Sequence, residues 1–114
     1  MNIEIFREYC LKKPGCEESL PFDNDTLAFK IYNKIFALCS LDNFVSINLK
    51  CDPEKAIQLR EKYADTVLPG YHMNKKHWNT VLLNKQLNDK TILELVDHSY
   101  DLIKHSIPKA KRLP

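Results

Sequence analysis

No stretch of this sequence is apolar for long enough to cross a bilayer: the longest runs, such as Ile35 to Ser40, fall far short of the roughly 20 residues a helical span needs. The first ten residues, MNIEIFREYC, carry acids where a secretory signal carries a basic and then an apolar stretch, so a cytoplasmic protein with no membrane partner is expected. The cysteines at 10, 16, 39 and 51 form neither a C-x-x-C pair nor a zinc-ribbon spacing, which removes the sequence signatures of thiol redox motifs and zinc ribbons. A chain of 114 residues buries roughly two-thirds of its unfolded surface without bridges. The expectation for these thiols is therefore reduced, small, buried side chains. There is also no G-x-S-x-G, P-loop, H-E-x-x-H or Rossmann phrase, no internal repeat and no Gly/Ser linker. One domain without a cofactor, and without an enzyme class that the sequence can name, is the reading that remains.

Acids are scarce in one place. None occurs between Asp65 and Asp89, and after Asp101 the charged side chains are Lys104, Lys109, Lys111 and Arg112. Residues 1–65 hold nine Lys/Arg against eleven Asp/Glu, whereas residues 66–114 hold eight against four, so the second half is the basic one. Inside it, Gly70 to Thr80 reads GYHMNKKHWNT and gathers two histidines, two lysines, a tyrosine and a tryptophan with no carboxylate. Lysine ammoniums suit phosphate and flat rings suit stacking, so this segment is the main recognition candidate.

Hydrophobic periodicity organises the rest. Ile3, Phe6, Tyr9 and Cys10 follow helical spacing after Asn2, which predicts a helix over residues 3–13 closed by Lys13-Pro14-Gly15. From Leu27 the period becomes two, with Asn33-Lys34 read as a hairpin turn, Ile35 to Leu41 as a central strand, and Val45, Ile47 and Leu49 alternating with Ser46, Asn48 and Lys50. Cys16 to Phe22 offers an edge strand interrupted by Pro21. Asp52-Pro53-Glu54 starts a helix running to about Tyr63, because Asp caps free amides and Pro fits the first helical position. Pro69-Gly70 breaks the chain, Trp78 to Leu83 reads as a strand, and Ile92, Val96, Ser99, Tyr100 and Ile103 mark a last helix that Asn88 or Asp89 caps and Pro108 ends. The order predicts an α+β, two-layer sandwich: an antiparallel β-sheet with α-helices packed on one face.

Several phrases occur together: PGCEESLPF, DTLAFKIYNKIFAL, INLKCDPEKAIQLREKY, PGYHMNKKHWNTV and LVDHSYDLIKHSIPK. In that order they resemble the MmcQ/YjbR-like proteins of bacteria. The resemblance covers nearly the whole chain, and GYHMNKKHWNT is its most specific part. It implies a small α+β fold compared with frataxin-like and secretion-chaperone-like folds, and a family commonly labelled DNA-binding. Asp23 and Asn33 stand where the family pattern has glycine, and both residue types tolerate turn conformations.

Carrying the motif across gives Tyr71, His72, Asn74, Lys75, Lys76, His77, Trp78 and Asn79 as candidate contacts, with Lys30 and Lys50 added from the polar phase of their strands. Trp78, at the start of a strand, is also read as a packing anchor. The leading expectation is a non-catalytic DNA-binding module. Four engaged phosphates would give a slope of log affinity against log salt of about −3.6 on duplex DNA. That expectation requires Lys30, Lys50, Lys75 and Lys76 to share one surface. The alternative is a protein-interaction or chaperone-like module, with a dimer through the sheet or last helix. A small-ligand pocket around Tyr71, His72 and His77 stands third. Asp97, Asp101, His98 and His105 share helical spacings that would allow a surface metal site, but they lie where polar side chains belong anyway, and no metal is expected.

Overall fold

The computed structural model describes residues 1–71 and 73–109. The elements run α1 (Ile3–Leu11), β1 (Glu17–Ser19), β2 (Thr26–Ile31), β3 (Lys34–Ser40), β4 (Ser46–Lys50), α2 (Pro53–Lys62), β5 (Val67–Pro69), β6 (Trp78–Leu82) and α3 (Asp89–Ser106). The strands form one antiparallel sheet in the order β1-β2-β3-β4-β6-β5. This is the α+β architecture that the residue periodicities predict.

Each helix starts where its sequence supplies an acceptor. The side chains of Asn2, Asp52 and Asn88 receive the backbone N–H groups of Ile5, Lys55 and Thr91, each satisfying one of the amides that a helix start leaves unpaired. The strand at β1 ends two residues before Pro21, which lacks the N–H a ladder needs.

Leu27, Phe29, Ile31, Ile47, Leu49 and Val81 point to the helix side and form the core with Phe6, Ile92, Val96 and Ile103. Phe6 of α1 meets Phe29 edge-on, with ring centroids 5.6 Å apart, and Tyr100 of α3 meets Phe36 in the same way at 5.4 Å. Both are favoured aromatic geometries. Tyr9, Lys13 and Asp97 tie α1 to α3: the Tyr9 hydroxyl donates to Asp97 at 2.6 Å, and the Lys13 ammonium lies 2.5 Å from the same carboxylate.

The hairpin between β2 and β3 turns one residue earlier than its sequence suggests. Tyr32 (φ 49°) and Asn33 (φ 64°) are its two central residues, and Lys34 already belongs to β3. A two-residue turn matched to strand twist needs positive φ at both centres, which places Tyr32 in a conformation its type rarely adopts.

A bulge interrupts the ladder, with Phe29 opposite Ala37 but Lys30 opposite Ile35. The extra residue, Phe36, turns its ring toward α3. Its carbonyl is reached by α3 instead of by β4. The buried Ser99 hydroxyl donates to Phe36 O at 2.5 Å and accepts the Lys50 N–H at 2.9 Å, standing in for a ladder bond between the two strands.

Among the described residues no helix is long and apolar enough to cross a membrane. All four cysteines are free thiols, and burial raises the pKa of each, with Cys16 and Cys51 pushed up to about 11 and Cys39 to about 12. At neutral pH that leaves them little thiolate for nucleophilic work.

Candidate functional site

Strand alternation sends a second set of side chains to the face opposite the helices. Lys30 pairs with Ile35 and Lys50 pairs with Trp78, in a row that the β3 bulge interrupts at its centre. Ala28, Leu38, Asn48 and Thr80 form the next row, and Thr26, Ser40, Ser46 and Leu82 the third. Lys30 and Lys50 therefore stand on one face, separated only by β3. Glu17 of β1 is the register partner of Lys30 and moderates that end of the row.

The Gly70–Trp78 segment folds back at the β5/β6 side of this face. Gly70 donates its N–H to the Trp78 carbonyl at 2.9 Å, and a Cβ at position 70 would sit 2.8 Å from Trp78 Cβ. Only glycine permits that approach. The Thr80 hydroxyl accepts the Tyr71 N–H at 3.0 Å and donates to Asn48 Oδ1 at 2.5 Å, so three elements share one hydrogen-bond chain. Asn74 closes the turn below, its side chain accepting from Lys76 N and its carbonyl from Trp78 N.

These contacts separate the sequence candidates. Lys75 is exposed but tied to the loop: its ammonium donates to Gly70 O at 3.3 Å, and its own carbonyl accepts from Arg60 of α2 at 3.1 Å. Lys76 is exposed. His77 is half-buried and uses its carbonyl to receive the Cys51 N–H. Trp78 is half-buried on the helix-free face, with its Cβ against Gly70. Asn79 points the other way, among Leu49, Val81 and Leu95, and is almost fully buried. It cannot meet a ligand on the open face. His72, Lys111 and Arg112 lie outside the described residues.

Between Tyr71 and Met73 on one side and the β1–β2 connection on the other lies a cleft of about 450 Å³ on the open face. Leu38, Ser46 and Asn48 contribute to its floor, while Phe22 on one side and Tyr71 and Met73 on the other form walls. Sequence reasoning missed Phe22, Leu38, Ser46 and the role of Asn48. The loop bearing Phe22 is fixed by Asp23, whose carboxylate accepts from Asp25 N, Thr26 N and the Thr26 hydroxyl at 2.6–3.0 Å. Those bonds hold the Asp23 carboxyl below the usual carboxylate range. Aspartate thus organises the turn by hydrogen bonding. Asp25 in turn accepts from Ser40 Oγ and Asp42 N at 2.7 Å, clamping the β3–β4 loop.

The cleft is consequently neutral within and unequal at its ends. No charged side chain lines it among the described residues. Asp23 and Asp25 belong to the Thr26 end, whereas Lys30 and Lys50 stand in the row at the other.

The polar residues of α3 serve the fold. Asp97 is bound to α1, His105 Nδ1 lies 2.8 Å from Asp101 O, and His98 Nε2 accepts the Asp52 N–H at 3.1 Å. Among the described residues no three His, Cys, Asp or Glu side chains gather as a metal site. Burial, reinforced by the Lys55 charge, lowers the His98 pKa from its ordinary 6.5. The neutral ring that accepts the Asp52 amide is the form that folding favours. Stability from this group is complete above pH 6.5 and is lost as pH falls from 6.5 through the lower folded value. We expect His98→Gln, which keeps an acceptor that does not titrate, to flatten the pH dependence of the unfolding midpoint across that interval. Parallel profiles for wild type and variant would contradict the assignment.

A family model described as YjbR matches residues 11–102. The chain belongs to the YjbR family. It is 38% identical over 113 residues to the uncharacterised Escherichia coli K12 protein YjbR, covering 98% of this chain and 95% of that one. A second uncharacterised relative, YbdF of Escherichia coli O157:H7, is 36% identical over 107 residues, with 93% and 87% covered. The crystal structure of the Deinococcus radiodurans protein DR2400, which carries the DUF419 domain, superposes with a TM-score of 0.90 at 35% identity, covering 96% of this chain and 84% of that chain. The fold described above is thus shared by a solved structure in a relative of clear sequence similarity.

Proposed function

We propose that the protein is a non-catalytic nucleic-acid-binding module whose helix-free sheet face meets the phosphate backbone. The observation that carries this reading is the placement of Lys30 and Lys50 in one cross-sheet row with Trp78, two residues from the exposed Lys76. Lysines so placed act as point charges that release counterions from a polyanion, and phosphate contacts of this kind carry no sequence information. Single strands suit the face better than duplex, because Phe22 and Tyr71 offer ring surface to bases that a duplex keeps stacked.

Lys75 is left out of the contact set because its ammonium is engaged by Gly70 O. Three lysines give an expected slope of log affinity against log salt of about −2.1 on single strands and about −2.7 on duplex. The double variant Lys30→Ala/Lys50→Ala should reduce the single-strand slope by about 1.4, whereas Lys75→Ala should leave it unchanged. Fluorescence anisotropy with a labelled oligonucleotide, repeated over a salt series, measures both. A folded protein that binds no oligonucleotide at low salt would refute the reading.

A further inference from the structure

The cleft beside the lysine row has a composition unlike a phosphate site. It contains no charged side chain among the described residues, its volume is about 450 Å³, and its walls present Phe22 at 66% exposure and Tyr71 at 71%. Phe22 comes from the β1–β2 connection and Tyr71 from the β5–β6 connection. Large aromatic side chains left this accessible around a concavity of ligand size are a recognition feature. On the floor, Ser46 contributes a hydroxyl group. Asn48 engages Thr80 through Oδ1, which leaves its Nδ2 hydrogens for another acceptor. The floor therefore offers one amide donor and one hydroxyl, which donates or accepts, between ring surfaces. That set matches the edge and the two faces of an uncharged, planar heterocycle.

Charge around the cleft decides how such a ring is attached. Lys50 lies on the same strand and face as Asn48, two residues along, or about 7 Å at strand rise. The opposite end belongs to Asp23 and Asp25, which repel phosphate. A polyanion cannot run the length of the cleft, but it can cross the lysine row and send one base inward. Building on the phosphate-contact reading above, we infer that the cleft is a pocket for one unpaired nucleobase, its edge toward Ser46 and Asn48 and its ring between Phe22 and Tyr71.

The test compares a thymidine oligonucleotide with an abasic oligonucleotide of the same length and backbone at one low salt concentration. One stacked and hydrogen-bonded base should make the thymidine strand bind about tenfold more tightly. Two variants should erase that preference: Ser46→Phe, which fills the cleft, and Phe22→Ala, which removes an exposed ring that the fold does not bury. Loss in both, with abasic binding unchanged, supports the pocket. Equal binding of the two strands by wild type overturns the pocket and leaves the phosphate reading intact. A preference that survives both variants also overturns it. If neither strand binds, the phosphate reading fails, and a titration with thymidine nucleoside decides the cleft alone. Saturable shifts at the Ser46 and Asn48 amides would then uphold the pocket, and their absence would reject it.

Discussion

Replacing Ser99 with alanine should destabilise the protein by about 2–4 kcal/mol, because two backbone groups lose their partner at once. Ser99 Oγ donates to the Phe36 carbonyl and accepts the Lys50 amide, and its side chain is fully buried. A buried donor or acceptor left unmatched costs about 1–3 kcal/mol, and alanine offers neither bond. The bulge at Phe36 prevents the strands from closing the gap themselves, since the register places Lys30 against Ile35 and Leu49 against Ala37. For a domain with a total stability of roughly 5–15 kcal/mol the loss is large. Urea titration should show a lowered midpoint with an unchanged slope. A shift worth less than about 1 kcal/mol would mean that water or strand rearrangement replaces the hydroxyl.

The substitution Gly70→Ala should cost about 1–3 kcal/mol and deform the candidate site as well. The added methyl would meet Trp78 Cβ at 2.8 Å, Trp78 O at 3.0 Å and Met73 Cβ at 3.1 Å. Two of those atoms belong to the start of β6, which is paired with both β4 and β5 and cannot retreat without breaking ladder contacts. The loop has to lift instead, weakening the Gly70–Trp78 and Tyr71–Thr80 bonds and displacing one wall of the cleft. Thermal unfolding and amide shifts over residues 70–80 measure the two consequences. Stability within about 0.5 kcal/mol of wild type would show that the loop has room that these distances deny.

These effects separate what local sequence specifies from what topology adds. The helix starts were legible because each cap is a local bond to an amide three residues on, written in Asn2, in Asp52 and, for the last helix, in Asn88, which the sequence left as one of two choices with Asp89. Strand phase was legible as well, and it placed Lys30, Lys50 and Asn48 on the polar face. By contrast, β5 is only three residues long and ends in Pro69, too short for any period to declare it. The role of Ser99 depends on a bulge in β3, sixty-three residues away in sequence. A serine in an apolar helical stripe gives no sign of which backbone groups it will meet.

The site shows the same division. GYHMNKKHWNT marked the loop, yet the sequence did not reveal that Lys75 turns onto Gly70 or that Asn79 faces the helices. Alternation from Trp78 fixes the direction of Asn79 only once the start of β6 is known. The cleft was invisible because Phe22 and Tyr71 come from connections at opposite ends of the strand order, and only the six-stranded sheet brings them around one floor. Asp23 illustrates a subtler loss: a side chain that reads as a tolerated turn residue in fact gathers three hydrogen bonds that shape one wall.

We propose the helix-free sheet face as the nucleic-acid-binding surface. Titrating the isotope-labelled protein with a short single-stranded oligonucleotide at low salt, and following every backbone amide by NMR, tests it most directly. The largest shifts should fall at Lys30, Asn48, Lys50, Lys76 and Trp78. Shifts concentrated on the outer surfaces of α1, α2 and α3, or none at saturating oligonucleotide, would contradict it.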